Sequence, residues 1–365
     1  MSFDLAIIGG GPAGTAAAIT AARCGARVLL LERGRFPRHK VCGEFISPEG
    51  LALLAGLGLG DLVRRAPRIA HARIFAATSV AEAALSPAAA SISRYELDHA
   101  LWRLASEAGA DCRQQVEVRA IRGPGPFALS TSADDFTACA VVNASGRWSN
   151  LRRRRLARPD REKWVGWKAY FREADSPLSV DLYFFEGGYC GVQPLGDGHV
   201  NACAMVRAAA ADSIGDVLTL HRRLAERSQA WQQVSDTVAT SPLVFAPPAA
   251  EEDGVLFAGD AAGFIDPFVG DGISLALRSG IMAAEALAGK MPVAEAATIY
   301  RRRYEREVRP LFRNAGWLRR LTSIPRVLLR PAMAVLRSPQ VTRFLIGKTR
   351  TSVTPIGSSA DRVTG

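Results

Sequence analysis

Residues 5–8, Leu-Ala-Ile-Ile, form an unbroken apolar run, the pattern of a strand buried on both faces of a parallel sheet. The run ends in Gly9-Gly10-Gly11-Pro12-Ala13-Gly14, and small apolar residues then dominate from Ala16 to Ala22. This predicts a helix packed closely on the sheet, with Pro12 in its first turn and Cys24-Gly25 at its end. A second apolar stretch, residues 27–31, predicts a neighbouring strand that stops at Glu32. The same order returns late in the chain: an apolar run at 255–258, a glycine-rich turn from Gly259-Asp260 to Gly272-Ile273, and a helical stripe through Leu275, Leu277, Ile281 and Met282. Between these ends, residues 164–171, 182–185, 189–194 and 200–206 read as strands. Residues 49–57 and 294–321 read as helices, and Ser93 with Glu96 forms a capping box opening a helix through Leu97, Leu101 and Leu104.

The pattern predicts an α/β chain in three parts. A discontinuous Rossmann-like dinucleotide-binding domain takes residues 1–68, 94–158 and 250–292, a sheet-rich substrate domain is inserted at 69–93 and 159–249, and a C-terminal helical segment takes 293–365. A length of 365 residues with 48% hydrophobic and 22% charged residues suits such a core. The net charge of +11 changes the picture only through its placement: fifteen Lys/Arg and three Asp/Glu fall in residues 301–365, so the rest of the chain is close to neutral. No basic cleft with interleaved aromatics runs through the first 300 residues, which sets nucleic acid aside. Six cysteines without a CxxC pair read as free thiols, and no apolar run reaches the length of a membrane span. A cytoplasmic protein is the expectation. Residues 301–350 read either as basic amphipathic pieces suited to an anionic membrane surface or an acidic carrier protein, or as a solvated arginine-rich face.

The candidate chemistry begins at Gly9-x-Gly11-x-x-Gly14. Gly9 allows the tight turn, Gly11 lets backbone approach a pyrophosphate, Gly14 lets helix and strand pack closely, and the helix start at Pro12-Ala13 offers free N–H groups to phosphate. Glu32, followed by Arg33, stands where a carboxylate accepts both hydroxyls of an adenosine ribose. The five histidines give no ligand spacing, and His221 shares an apolar helical stripe with Leu218 and Leu224. No metal site is expected.

The segment from Gly259 to Ile273, Gly-Asp-Ala-Ala-Gly-Phe-Ile-Asp-Pro-Phe-Val-Gly-Asp-Gly-Ile, resembles the GD motif of FAD enzymes in the p-hydroxybenzoate hydroxylase and geranylgeranyl reductase superfamily. The resemblance implies that Asp260 accepts from a ribityl hydroxyl, that Pro267 lies beside the isoalloxazine ring, and that Gly270, Gly272 and Ile273 start a helix aimed at flavin N1 and O2. Arg94 matches an arginine that such enzymes place on FAD. Gly146 lies where the family has an Asp-Gly turn, with Ser145 replacing the Asp. Cys42-Gly43-Glu44 resembles the cysteine loop that covers the flavin in geranylgeranyl reductases, where Cys42 either donates a proton, shapes the pocket, or is a small packing residue. Tyr189 and Pro194 match the Tyr-x-Trp-x-Phe-Pro of prenyl reductases, with Gly191 and Gln193 in place of Trp and Phe, which implies a wider and more polar pocket.

The expected function is therefore an FAD-dependent oxidoreductase on a lipophilic isoprenoid or polyketide-like substrate, reducing an alkene, with Cys42 and Tyr189 as the candidate catalytic residues. NAD(P)H or a reduced partner protein is the expected transient electron donor, because no second Gly-rich βαβ unit is present. The alternatives are a flavin monooxygenase, with halogenase as a variant lacking its Trp-x-Trp-x-Ile-Pro signature, and a non-catalytic flavoprotein that docks through its tail.

Overall fold

A computed structural model describes residues 2–76, 79–147, 151, 163–289 and 291–322. The first half of the chain contains β1 (Ser2–Ile8), α1 (Pro12–Arg23), β2 (Val28–Glu32), β3 (Phe45–Ile46), α2 (Pro48–Leu54), α3 (Gly60–Arg65), β4 (Arg68–Ala76), β5 (Ser79–Ser91), α4 (Arg94–Glu107), β6 (Asp111–Gln114), β7 (Val118–Arg122), β8 (Phe127–Thr131) and β9 (Phe136–Asn143). The second half contains β10 (Trp164–Arg172), β11 (Ser179–Phe185), β12 (Gly188–Gly196), β13 (His199–Arg207), α5 (Ile214–Thr219), α6 (Arg222–Ser228), β14 (Gln232–Gln233), β15 (Val238–Thr240), β16 (Glu251–Glu252), β17 (Val255–Phe257), α7 (Gly272–Leu287), α8 (Val293–Glu307) and α9 (Arg309–Thr322).

The first sheet runs β16-β17-β9-β1-β2-β6, with β7 and β8 attached beside β9. Strands β17, β9, β1, β2 and β6 are mutually parallel, so β1 lies between β9 and β2 and its apolar run is buried on both faces. Helices α1, α4 and α7 pack into the same core as this sheet. The glycine turns after β1 and β17 therefore open at the same carboxyl edge of the sheet, where α/β folds place ligands.

The second sheet runs β14-β10-β13-β12-β11-β4-β5-β3. Alternation gives it two distinct faces. Ala169, Phe171, Cys190, Val192, Ala202 and Ala204 point one way and are buried with Ile214, Val217 and Leu224 of α5 and α6. The register places Tyr170, Asn201 and Gln193 in one row of the other face, Lys168, Cys203, Gly191 and Leu182 in the next, and Gly166, Met205, Tyr189 and Phe184 in the third. This second face lies against the loop that carries Cys42.

Several expected boundaries shift for physical reasons. The helix expected at 49–57 is regular only as α2 and then widens over Ala55–Leu59, because Gly58 takes φ +106° and breaks the hydrogen-bond ladder before α3. The helix expected at 294–321 divides at Val308 into α8 and α9. His221 is not on a continuous helix: α5 stops at Thr219, and His221 precedes α6 with its ring edge-on to Tyr183 at 5.4 Å. Phe45–Ile46, inside the stretch expected to serve the dinucleotide domain, adds a short strand to the second sheet through Phe45↔Ser91. Of the basic segment at 301–350, residues 323–350 lie outside the described residues. No helix among the described residues is long and apolar enough to cross a membrane.

Candidate active site

The two glycine turns, far apart in sequence, touch. A Cβ on Gly14 would lie 1.8 Å from the carbonyl oxygen of Gly9, and one on Gly9 would lie 2.3 Å from that of Ala144, so the first turn and the end of β9 are in backbone contact. Gly9 also takes φ +105°, which glycine adopts without strain. From the other end of the chain, Gly259 at φ +59° faces the Cβ of Ala13 at 2.9 Å, and a Cβ on Gly280 of α7 would lie 2.0 Å from the carbonyl oxygen of Ala13. Helices α1 and α7 thus cross through bare backbone at Ala13. Neither helix N-terminus is closed by a side-chain cap: Gly11 precedes α1, and Asp271 precedes α7 while its Oδ1 accepts from Ser47 Oγ at 2.9 Å. Both starts leave backbone N–H groups for an external acceptor.

Charge collects beside the first turn. Arg94 forks onto Asp98 at 2.7 and 2.8 Å, and Lys40 Nζ reaches the same carboxylate at 3.0 Å. A Cβ on Gly11 would meet only Arg94 Nη2 and Lys40 Nζ, each 3.9 Å away. The gap in front of Gly11 is therefore lined by two cations sharing one buried carboxylate. Glu32, at the end of β2, accepts from Gly10 N at 2.8 Å, Gly34 N at 2.7 Å and Arg38 Nη2 at 2.7 Å. Burial alone would raise its pKa, but Lys40, Arg38 and the two N–H donors hold it below the usual value.

The loop between β2 and α2 bridges the two sheets. Val41 sits over Gly166, whose Cβ would meet Val41 Cγ1 at 2.9 Å, and Asn201 Nδ2 donates to the carbonyls of Cys42 and Gly43 at 3.0 Å each. Gly43 itself faces open space. Glu44 N donates to Cys42 Sγ at 3.3 Å. At the loop's far end Gly270, at φ +70°, packs on the Phe45 ring, and Ser47 Oγ meets Ser274 Oγ at 2.8 Å. The loop carrying Cys42 is thereby held on the mixed face of the second sheet, while Ser47 at its far end ties it to α7.

An aromatic wall continues that face. Tyr189 lies 5.6 Å from the ring of Phe184 and 6.1 Å from that of Phe268, the residue after the exposed Pro267. Phe245 stacks on Phe264 at 5.3 Å, and Trp164, Leu182, Met205 and Leu243 complete the cluster. Arg147, next to Gly146 at φ +84°, lies over the Phe264 ring at 4.4 Å and donates to Thr240 Oγ1 at 3.3 Å. Burial pushes the Arg147 pKa down, while the charge of Asp260 pulls it the other way.

Comparison with known proteins agrees with this geometry. A family model described as FAD dependent oxidoreductase matches residues 4–37, and a second of the same description matches residues 48–166. The chain is an FAD-dependent oxidoreductase. It is 29% identical over 321 residues to a menaquinone reductase of Mycobacterium tuberculosis, covering 78% of this chain and 76% of that one. It is equally 29% identical over 329 residues to digeranylgeranylglycerophospholipid reductase 2 of Methanopyrus kandleri, covering 84% and 82%. Among solved structures, a geranylgeranyl bacteriochlorophyll reductase-like protein of Thermoplasma acidophilum superposes with TM-score 0.76 at 21% identity, covering 95% of each chain. The flavin-dependent brominase Bmp2 superposes with TM-score 0.80 at 19% identity, covering 96% and 93%. Both structures show the same fold.

The residues present fit FAD. The bare backbone at Gly11, the N-terminus of α1 and the Arg94–Lys40 pair would hold the pyrophosphate, Glu32 would meet the ribose, and Asp260 would meet the ribityl chain. The pKa of Asp260 is raised by burial against the pull of Arg147, Arg94 and Lys40. The uncapped start of α7 at Gly272 and Ile273 would face the ring. Arg33 lies apart from this group, 70% exposed and 3.8 Å from Glu117. Gln193, expected to make the pocket more polar, is buried and donates to Ser91 Oγ at 2.6 Å, so its amide is occupied on the neighbouring strand. Tyr189 is a buried wall residue whose hydroxyl pKa burial raises well above the ordinary value. The sequence reading missed Asp98, Lys168, Tyr170 and Asn201; only the Arg94–Asp98 spacing of four residues on one helix was a local signal.

Proposed function

We propose that this FAD-dependent oxidoreductase is a reductase that saturates a carbon–carbon double bond in an isoprenoid-bearing lipophilic substrate. The observation that carries the reading is that the loop carrying Cys42 packs, through Val41 on Gly166 and Asn201 on the Cys42 and Gly43 carbonyls, onto the sheet face that also bears Tyr189 and its aromatic neighbours Phe184 and Phe268. The relatives named as menaquinone and digeranylgeranylglycerophospholipid reductases support the substrate class. When bound and reduced, FAD would supply the hydride for one alkene carbon. The chain's own residues do the rest. The wall takes the apolar chain out of water, Arg147 stays beside Phe264 at the wall's edge, and the Cys42 thiol gives the proton that the second alkene carbon needs. The Glu44 N–H, which donates to that sulfur, holds it once the proton has gone. NAD(P)H or a reduced partner protein is the electron donor in this reading.

Anaerobic turnover with a prenylated quinone or a polyprenyl lipid tests the proposal. The expected product is two hydrogens heavier than the substrate, and Cys42→Ala is expected to lower kcat by about 100-fold while FAD binding persists. A product that gains oxygen or halide only in air, or a Cys42→Ala protein turning over at the parent rate, contradicts it.

A further inference from the structure

The chemistry above leaves the buried Glu44 carboxylate unused. Glu44 is fully buried, and its backbone takes φ +62°, a left-handed conformation that strains a glutamate. Its carboxylate accepts from Arg94 N at 2.6 Å and from Tyr170 OH at 2.8 and 2.9 Å, and it pairs with Lys168 Nζ. Lys168 is itself buried and donates further to the carbonyl of Lys40 at 3.2 Å and to Tyr170 OH at 3.0 Å. Lys168 and Tyr170 belong to β10 of the second sheet, Arg94 begins α4 on the first, and Glu44 lies on the loop between them. All three donors converge on one side chain two residues from Cys42, and the Glu44 N–H itself donates to the Cys42 sulfur. A strained turn fixed by long-range partners on both sides is how a loop is held to one geometry.

We propose that Glu44, clamped by Lys168 and Tyr170, is the positioning residue that fixes Cys42 and the Gly43 backbone against the flavin. The clamp makes a strained turn the stable one, and the turn aims the Glu44 N–H at the sulfur. Removing either charge leaves the other buried without its partner, so the two charges act as a unit. This inference rests on the flavin reading for its purpose, but its geometry is measurable without flavin.

Hydrogen exchange of the apo-protein, followed by mass spectrometry on the peptide covering residues 40–46, is the primary readout. Tyr170→Phe, which removes only a hydroxyl, and Glu44→Gln, which leaves Lys168 unpaired, are each expected to speed exchange in that peptide by about tenfold. Peptides from α1 and from the β12–β13 hairpin should stay at parent rates. Glu44→Gln combined with Lys168→Met removes both charges and is expected to bring the loop back to within about threefold of the parent. In the FAD-loaded protein the two single variants should shift the long-wavelength flavin band and lower kcat about tenfold, with the FAD Kd within about threefold. Parent-rate exchange at residues 40–46 in both single variants, an equal rise in the control peptides, or failure of the double variant to recover overturns the clamp. Failure of the parent protein to bind FAD would instead sink the flavin reading, and the exchange data would still decide the clamp.

Discussion

A Gly280→Val protein is expected to be purified without FAD and to take up none under conditions that saturate the parent. Any Cβ at this position would fall 2.0 Å from the carbonyl oxygen of Ala13, and that oxygen belongs to helix backbone, which cannot rotate aside. Relief comes only by moving α7 off α1. Overpacking of this kind costs about 1–3 kcal/mol in stability, which a domain of this size survives. Its effect on the pocket is larger. The same displacement carries Gly272 and Ile273 away from Gly11 and Ala13, so the two ends of FAD can no longer be held at once. We expect FAD affinity to fall at least about 100-fold, read as loss of the visible flavin absorbance after gel filtration, while far-ultraviolet circular dichroism remains that of the parent. Gly14→Val, whose Cβ would lie 1.8 Å from the Gly9 carbonyl oxygen, should behave alike. Either variant retaining a full complement of FAD contradicts the crossing.

The second large effect is expected from Asp98→Ala. This buried carboxylate compensates both Arg94 and Lys40, so its removal leaves two cations crowded in the interior. Breaking such a pair costs about 3–5 kcal/mol. FAD brings an anionic pyrophosphate to those same cations, so the loss in Tm should be larger for apo-protein than for FAD-loaded protein. The pH dependence has a definite sign. Burial raises the Asp98 pKa, but Arg94 and Lys40 outweigh it and hold the carboxyl below its ordinary 3.8. A carboxylate depressed in the folded state gives its full stabilisation above the unfolded pKa of about 3.9 and loses it as pH falls through the lower folded value. Melting curves of parent and Asp98→Asn should therefore be well separated above about pH 5 and converge in stronger acid. A constant separation across that range, or an equal Tm loss with and without FAD, would show that Asp98 does not neutralise this pair.

The sequence was most legible where function depends on contiguous residues. Gly9, Gly11 and Gly14 mark a turn because strand, turn and helix follow one another within a few residues, and Gly259-Asp260 does the same ahead of α7. Period-two runs likewise located β10, β12 and β13. The clamp was illegible because its parts come from three places: Glu44 looks like an ordinary loop acid, Lys168 like a solvated residue on an alternating strand, and Asn201 like a polar interruption. Only the register Tyr170↔Asn201 and Lys168↔Cys203 puts them in adjacent rows of one face. Gly280 was hidden for a related reason, since a glycine inside a helix signals close approach but not the partner. The aromatic wall was invisible as a unit, because its rings come from β10, β11, β12 and the two irregular stretches around Phe245 and Phe264–Phe268. Gln193 shows the reverse error: its position on the strand was readable, while its bond to Ser91 on β5 was not.

Titration of the purified, flavin-stripped parent with FAD tests the central claim most directly. One FAD per chain, bound with quenched fluorescence and a shifted visible spectrum and abolished by Gly280→Val, is the expected result. A parent protein that remains colourless at saturating FAD, or that binds it equally well with valine at position 280, would contradict the account.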